Sequence, residues 1–348
     1  MPEHVRTDRR GRLATIELQR PEALNALTHD MVHGIAAALA AAQRDPAVAT
    51  IAITGAGERG LCAGGDVVGL RADVVATGGA AARAFWRDEY ALNAAIARSS
   101  TPVVAIQHGI VLGGGVGISA HARHRVVTES TRIGFPEVTI GFVPDVGATW
   151  LLTRAPGELG TRVALTGEHV GPADAILLGL SDAFIPAEQI PELLAALETT
   201  DADAAIAALA TTPPTGELAA ARALVDEAFA GDDLGTILER LAAAGESGAA
   251  LAATIATRSP TALTVTLAAL RRAAALPELE RALEQEYRVS SHVSLLPDFA
   301  EGIRAQLVDK DRSPAWQPAT IEQVPDAMVG ACFEPAPDGD LALPEEAA

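Results

Sequence analysis

Two glycine runs and two proline-flanked acids are the residues of this chain whose types and spacing could do chemistry. Gly113, Gly114 and Gly115 follow the apolar, β-branched segment Pro102–Gln107 and open a predicted helix reaching to about His121. The first N–H groups of a helix lack intrahelical partners and sit at the positive end of its dipole, so a carbonyl gaining negative charge is stabilised there. The run is therefore an oxyanion-hole candidate. A second run, Gly64-Gly65-Asp66, lies in the turn-rich loop GAGERGLCAGGDVVGL and offers another set of approachable N–H groups, against the plainer reading of a tight turn. Glu137 follows Pro136 and Asp145 follows Pro144, with the run Val138–Val143 between them. Carboxylates among apolar neighbours tend toward raised pKa. The alternative is that both acids cap helix N-termini, since Val146–Thr153 reads helical. Two sets of backbone donors and two acids together suit a reaction that passes through an oxyanion or an enolate.

The elements that must position these residues alternate between strand and helix periods over the first ~190 residues, which predicts an α/β architecture with helices covering sheet. Leu13–Leu18 alternates like a strand, Arg20-Pro21 breaks it, and a helix is expected over Thr28–Gln43. Val48–Thr54 is the next strand, and Ala80–Ala97 reads as a helix with Phe85, Trp86 and Glu89 on one face. Glu89 is then either a surface acid or a site acid. Short strands are expected at Arg125–Thr128 and Arg132–Phe135. From about Glu188 the chain turns to alanine-rich acidic helices, giving an expected division into an α/β core over 1–190 and a helical region over 191–348. Thr211–Thr215 reads as a linker, Ser259-Pro260 as a helix start, Asp298 with Glu301 as a capping box, and the tail after Pro335 as loose.

Composition removes several functional classes. A formal charge of −19 repels nucleic-acid phosphates, and the cluster Arg6, Arg9, Arg10 and Arg12 reads as a solvated face. Two cysteines, Cys62 and Cys332, are too few for a disulfide framework and fit a reducing cytoplasm. Neither a signal-peptide pattern nor an 18-residue apolar run is present, so no membrane partner is expected. The glycine run lacks the third glycine of a dinucleotide fingerprint, and there is no P-loop. Gly117-Ile118-Ser119-Ala120-His121 comes close to a nucleophile elbow, but His121 would crowd the turn. His121 and His124 have no third ligand nearby, so no metal site is expected there.

With these residues in place, CAGGD and LGGGVG resemble the two oxyanion loops of the crotonase (enoyl-CoA hydratase/isomerase) superfamily, whose members hold an acyl-CoA thioester carbonyl between two backbone N–H groups. The resemblance implies a spiral of ββα units with C-terminal helices, Gly65 and Gly114 as the oxyanion donors, and Glu137 at the family's second acidic position. Hydratases of the family carry a glutamate three residues after the second oxyanion glycine, and here that position is Gly117. The segments FWRDEY, GGGVGISAH, FPEVTIGFVPDVGATWLL, EYRVSS and DFAEGIRAQLVDKDRSPAW are instead similar to the 3-hydroxyisobutyryl-CoA hydrolase-like subfamily, thioesterases of valine breakdown. That similarity spans nearly the whole chain. It implies catalytic roles for Glu137 and Asp145 and places Glu89, Ala63, Asp66, Val67 and Pro136 at the substrate. It also implies an acyl-CoA substrate with no separate cofactor and no metal, and a homo-oligomer of the trimer type. Pro297 and Ala315 depart from the subfamily, which has His and Lys there. Two readings stand beside hydrolysis: a hydratase or isomerase using Glu137 alone, and a non-catalytic acyl-CoA binding protein.

Overall fold

The computed structural model describes residues 4–343. They form two compact units, each assembled from separated segments: residues up to 65, 88–134 and 169–217 in the first, and 66–87, 135–168 and 218 onward in the second.

Among the described residues, every strand lies in the first unit. Its main sheet has the order β1-β2-β3-β4-β6-β9, built from Val5–Arg10, Leu13–Leu18, Thr50–Gly55, Val103–Gln107, His124–Val127 and Ala183–Phe184. A smaller sheet has the order β5-β7-β8, from Ile110–Leu112, Arg132–Gly134 and His169–Val170. Neighbours in the main sheet are parallel except β1 and β2. Parallel strands buried on both faces read as continuous apolar runs, as β4 does with all its residues buried. The chain alternates between the sheets: β4 enters the main sheet, β5 the smaller one, the helix α4 (Gly114–Ala120) follows, and β6 and β7 repeat the pattern. These are turns of a ββα spiral, in agreement with the α/β class expected from the sequence. One face of the main sheet, with Leu13, Ala52, Val104 and Val126, packs against Leu193, Leu197, Ala205 and Ile206 of the helices that follow β9. The helix α1 (His29–Arg44) packs on β1 and β2, and Thr28 caps it by accepting from the Met31 N–H at 3.3 Å.

The second unit is helical. It contains α2 (Val67–Thr77), the first half of α3 (Ala80–Ala97), the 3-10 turn Glu137–Ile140, α5 (Ala148–Leu152), α6 (Leu159–Thr166) and the helices from Leu218 on. Ser259 caps the helix Pro260–Ala273 as expected, accepting from the Ala262 N–H at 3.0 Å. The expected capping box at Asp298 does not form, because Pro297 already occupies the first helical position. Asp298 instead accepts from the Ser259 hydroxyl at 2.5 Å and the Gln317 N–H at 2.7 Å, while Glu301 pairs with Arg304. The tail is also tighter than its composition suggests. Arg83 bonds Asp338 at 2.6 Å, Arg87 donates to the Gly339 and Asp340 carbonyls, and Arg288 bonds Asp340 at 2.8 Å. The end of the tail, residues 344–348, lies outside the described residues. Among the described residues, no helix is long and apolar enough to cross a membrane.

Candidate active site

In the first unit the two glycine loops lie side by side. Cys62 bridges Val111 of β5 in parallel register, so the first loop runs beside the strand that leads into Gly113. The Cys62 carbonyl accepts from the Leu112 N–H at 3.0 Å, and the Gly64 carbonyl accepts from the Leu27 N–H at 2.8 Å. Gly113, at φ +47, turns the chain into α4 in a conformation that a side chain resists. A β-carbon on Gly114 would stand 2.4 Å from Glu89 Oε1 and 3.3 Å from the Gly65 nitrogen, so a side chain there would have to push the Glu89 carboxylate aside, and the two predicted donors are neighbours. Among the described residues, neither the Gly65 nor the Gly114 N–H donates to a backbone carbonyl.

Buried Asn25 fixes the base of the first loop. Its amide donates to the Ala56 and Gly60 carbonyls at 3.1 and 3.2 Å, and its oxygen accepts from the Arg20 N–H at 2.9 Å. Sequence reading passed over it, because one asparagine in PEALNALT carries no local signal. Ala63, half-buried, donates its N–H to the Leu24 carbonyl at 3.0 Å. Glu89 on α3 is 2% exposed, which settles it as a buried acid beside the second donor rather than a surface one. Burial pushes the neighbouring Cys62 thiol up to about 12, with the Glu89 charge adding to the push, so this cysteine is inert as a nucleophile. Ser119 is equally spoken for, donating to the Gly115 carbonyl at 2.7 Å inside α4. Arg20 and Arg59 turn toward backbone: Arg20 donates to Ala26, and Arg59 to Pro21 and Glu22.

In the second unit Asp66 caps α2, accepting from the Gly69 N–H at 3.3 Å, and half-buried Val67 begins that helix. Glu137 is the first residue of its 3-10 turn and is 7% exposed. It does not cap the turn. Pro136 stands at the cap, and its carbonyl accepts from the Thr139 N–H at 2.9 Å. The segment after it is pinned by aromatic packing, with Phe142 stacked on Trp86 at 5.3 Å and tilted against Phe299 at 5.3 Å.

Asp145 is 5% exposed and precedes the cap position, which Gly147 occupies; α5 is shorter than the helix expected over Val146–Thr153. The orphan N–H groups of that helix go to Glu286, on the helix Leu279–Val293. Its carboxylate accepts from the Gly147 N–H at 2.6 Å, the Thr149 N–H at 2.8 Å and the Thr149 hydroxyl at 2.6 Å. Burial pushes Glu286 up to about 8 against the pull of these three bonds, and the Asp145 charge adds to the push. Between Asp145 and the clamped Gly147 sits Val146 at φ +57, a left-handed conformation that a β-branched residue adopts only under constraint. Glu286 was visible in the sequence only as a letter of EYRVSS.

The sequence model of a family described as Enoyl-CoA hydratase/isomerase matches residues 13–333. Among curated proteins, the chain is 36% identical over 351 residues to "3-hydroxyisobutyryl-CoA hydrolase, mitochondrial" of Gallus gallus, covering 97% of this chain and 91% of that protein. Among solved structures it resembles a carnitinyl-CoA dehydratase from Mycobacterium thermoresistibile, with 49% identity, a TM-score of 0.94 and 98% of each chain covered. It also resembles an enoyl-CoA hydratase from Rhodobacter sphaeroides 2.4.1, with 41% identity, a TM-score of 0.92, and 98% of this chain and all of that one, 100%, covered.

Proposed function

The chain belongs to the enoyl-CoA hydratase/isomerase family, and from that premise we propose that it hydrolyses a short branched 3-hydroxyacyl-CoA thioester, 3-hydroxyisobutyryl-CoA, to 3-hydroxyisobutyrate and CoA, a step of valine breakdown. The observation that carries the reading is the adjacency of the Gly65 and Gly114 N–H groups, neither of which is used by a backbone carbonyl among the described residues. They receive the thioester oxygen as it gains charge. Glu137 takes a proton from water as the water oxygen bonds to the carbonyl carbon, or attacks that carbon itself to give a mixed anhydride. The tetrahedral intermediate re-forms its carbonyl and expels the CoA thiolate; on the water path the thiolate takes up the proton held by Glu137, and on the anhydride path water then opens the anhydride, freeing the acid and Glu137 and supplying the thiol's proton. Water is the only co-reactant, so no cofactor beyond the CoA of the substrate is needed. Asp145 binds the substrate hydroxyl. Glu89, Ala63, Asp66, Val67 and Pro136 line the acyl-CoA. A homo-oligomer of the trimer type and a reducing, cytoplasmic setting complete the reading, although the name of the chicken relative places that protein in the mitochondrion.

The rival reading is addition or removal of water, favoured by the names of the two solved structures and by the buried Glu89 carboxylate beside Gly114. Against it, Gly117 offers no carboxylate from α4. We expect measurable thiol release from 3-hydroxyisobutyryl-CoA and negligible hydration of crotonyl-CoA, followed by absorbance at the thiol and at the enoyl thioester. The opposite ratio replaces hydrolysis with hydration.

Selectivity is expected to reside in Asp145. A buried carboxylate that accepts from a substrate hydroxyl is left desolvated and uncompensated by an analogue lacking it. Wild-type enzyme should therefore prefer 3-hydroxyisobutyryl-CoA to isobutyryl-CoA in kcat/KM, and Asp145→Ala should narrow that ratio. A general loss with the ratio unchanged makes Asp145 an orienting group for Glu137 or water instead.

A further inference from the structure

We propose that His29, His33 and Asp88, in the first unit, bind one divalent transition-metal ion of the zinc, nickel or copper class. His29 and His33 are four residues apart on α1, so their rings share one face one turn apart, with centroids 4.4 Å from each other. Asp88 comes from α3 and places a single oxygen, Oδ2, 2.7 Å from Nε2 of each ring. The three ligand atoms all lie within 4.8 Å of one another. Metal bonds of about 2.0–2.2 Å in tetrahedral geometry separate adjacent ligand atoms by roughly 3.3 Å. Admitting an ion therefore requires each Asp88–histidine distance to open by about 0.6 Å while the two histidine nitrogens stay within 4.8 Å of each other.

The donor set decides the class of ion. Two imidazole nitrogens with one carboxylate suit zinc, nickel and copper, whereas magnesium and calcium require a shell of oxygens. The side chains are partly open to solvent, at 35%, 57% and 39% exposure, so water completes the coordination and the ion exchanges freely. A chain charge of −19 favours a cation. The site's position gives binding a consequence. His29 lies two residues after Leu27, whose N–H holds the Gly64 carbonyl, and Asp88 immediately precedes Glu89, whose carboxylate borders Gly114. An ion here ties α1 to α3 beside both oxyanion loops and resists unfolding of the first unit.

Isothermal titration of untagged, metal-free protein with zinc chloride tests this, paired with thermal unfolding in the same buffer. The expected result is one ion per chain and a raised Tm, with no shift on adding magnesium chloride. Truncating a ligand should cost at least the ~10-fold that loss of an outer-shell partner costs. Zinc affinity should thus fall by that factor or more in His33→Ala and in Asp88→Asn, and the stoichiometric event should vanish in the His29→Ala/His33→Ala double variant. Far-UV circular dichroism checks that each variant is folded, and Asp88→Asn keeps the shape of the site if the histidine variants are not. Absence of a stoichiometric event in the wild type, or the same affinity in the folded variants, overturns the proposal.

Discussion

Glu137→Gln lowers kcat for thioester hydrolysis by at least ~10²-fold while binding of substrate is largely retained. The substitution is close to isosteric, and the position is held from several sides. Pro136 precedes it, Gly141 ends the turn at φ +70, and a β-carbon on Gly141 would stand 2.1 Å from the Asp298 carbonyl oxygen. The Val138 carbonyl accepts from the Ser259 N–H at 3.3 Å. A backbone so constrained cannot re-aim the side chain, so the variant isolates the loss of a base or nucleophile. Steady-state thiol release measures kcat, and calorimetric binding of a non-hydrolysable thioether analogue measures affinity. Turnover within a few-fold of wild type removes Glu137 from the chemistry. A single turnover in heavy-oxygen water separates the two chemical roles. Opening an anhydride at the enzyme carbonyl leaves label in the peptide containing Glu137, and activation of water leaves none.

The parts of this arrangement that were legible in the sequence are those with a local signal. Leu13–Leu18 and Ala80–Ala97 were read with the bounds observed, because apolar residues recur there at strand and helix periods. The glycine runs were legible because close approach to bare backbone favours glycine, and a β-carbon on Gly114 would press on the Glu89 carboxylate. Two elements had no such signal. Val5–Arg10 is an edge strand whose charged residues face solvent, so it read only as a basic cluster. Val67–Thr77 buries none of its residues and has no apolar stripe. It is held by packing on the helix Pro297–Ile303, by the bond from Arg71 to the Ala300 carbonyl at 2.7 Å and by the Ala82 N–H donated to Asp73 at 2.9 Å. The two acids were legible as site candidates but not in their local roles. Whether Asp145 capped a helix depended on a competitor, and Glu286 takes those donors from more than a hundred residues away along the chain.

Loss of that competitor should disturb both stability and catalysis. Glu286→Ala leaves the Gly147 and Thr149 N–H groups and the Thr149 hydroxyl without their acceptor in a buried place. At about 1–3 kcal/mol for each unsatisfied donor, the expected destabilisation is on the order of 3 kcal/mol or more. Val146 then has no reason to keep its left-handed backbone, which costs on the order of 1–3 kcal/mol, and the turn relaxes with Asp145 in it. Catalytic efficiency toward the hydroxylated substrate should fall more than efficiency toward isobutyryl-CoA. Glu286→Gln keeps one acceptor oxygen and separates this positioning role from the charge. Its clearest readout is pH. Glu286 titrates near 8 in the folded chain against 4.5 for the free side chain, so between those values the folded protein keeps a proton that the unfolded chain has released. Stability from this group is therefore full below 4.5 and is lost as pH rises toward 8, by at most about 1.4 kcal/mol per pH unit. Urea unfolding from pH 5 to 8.5 should show wild type losing stability more steeply than Glu286→Gln across that window. Parallel profiles would mean that Glu286 is already ionised in the folded protein and holds α5 as a carboxylate, its three hydrogen bonds outweighing burial.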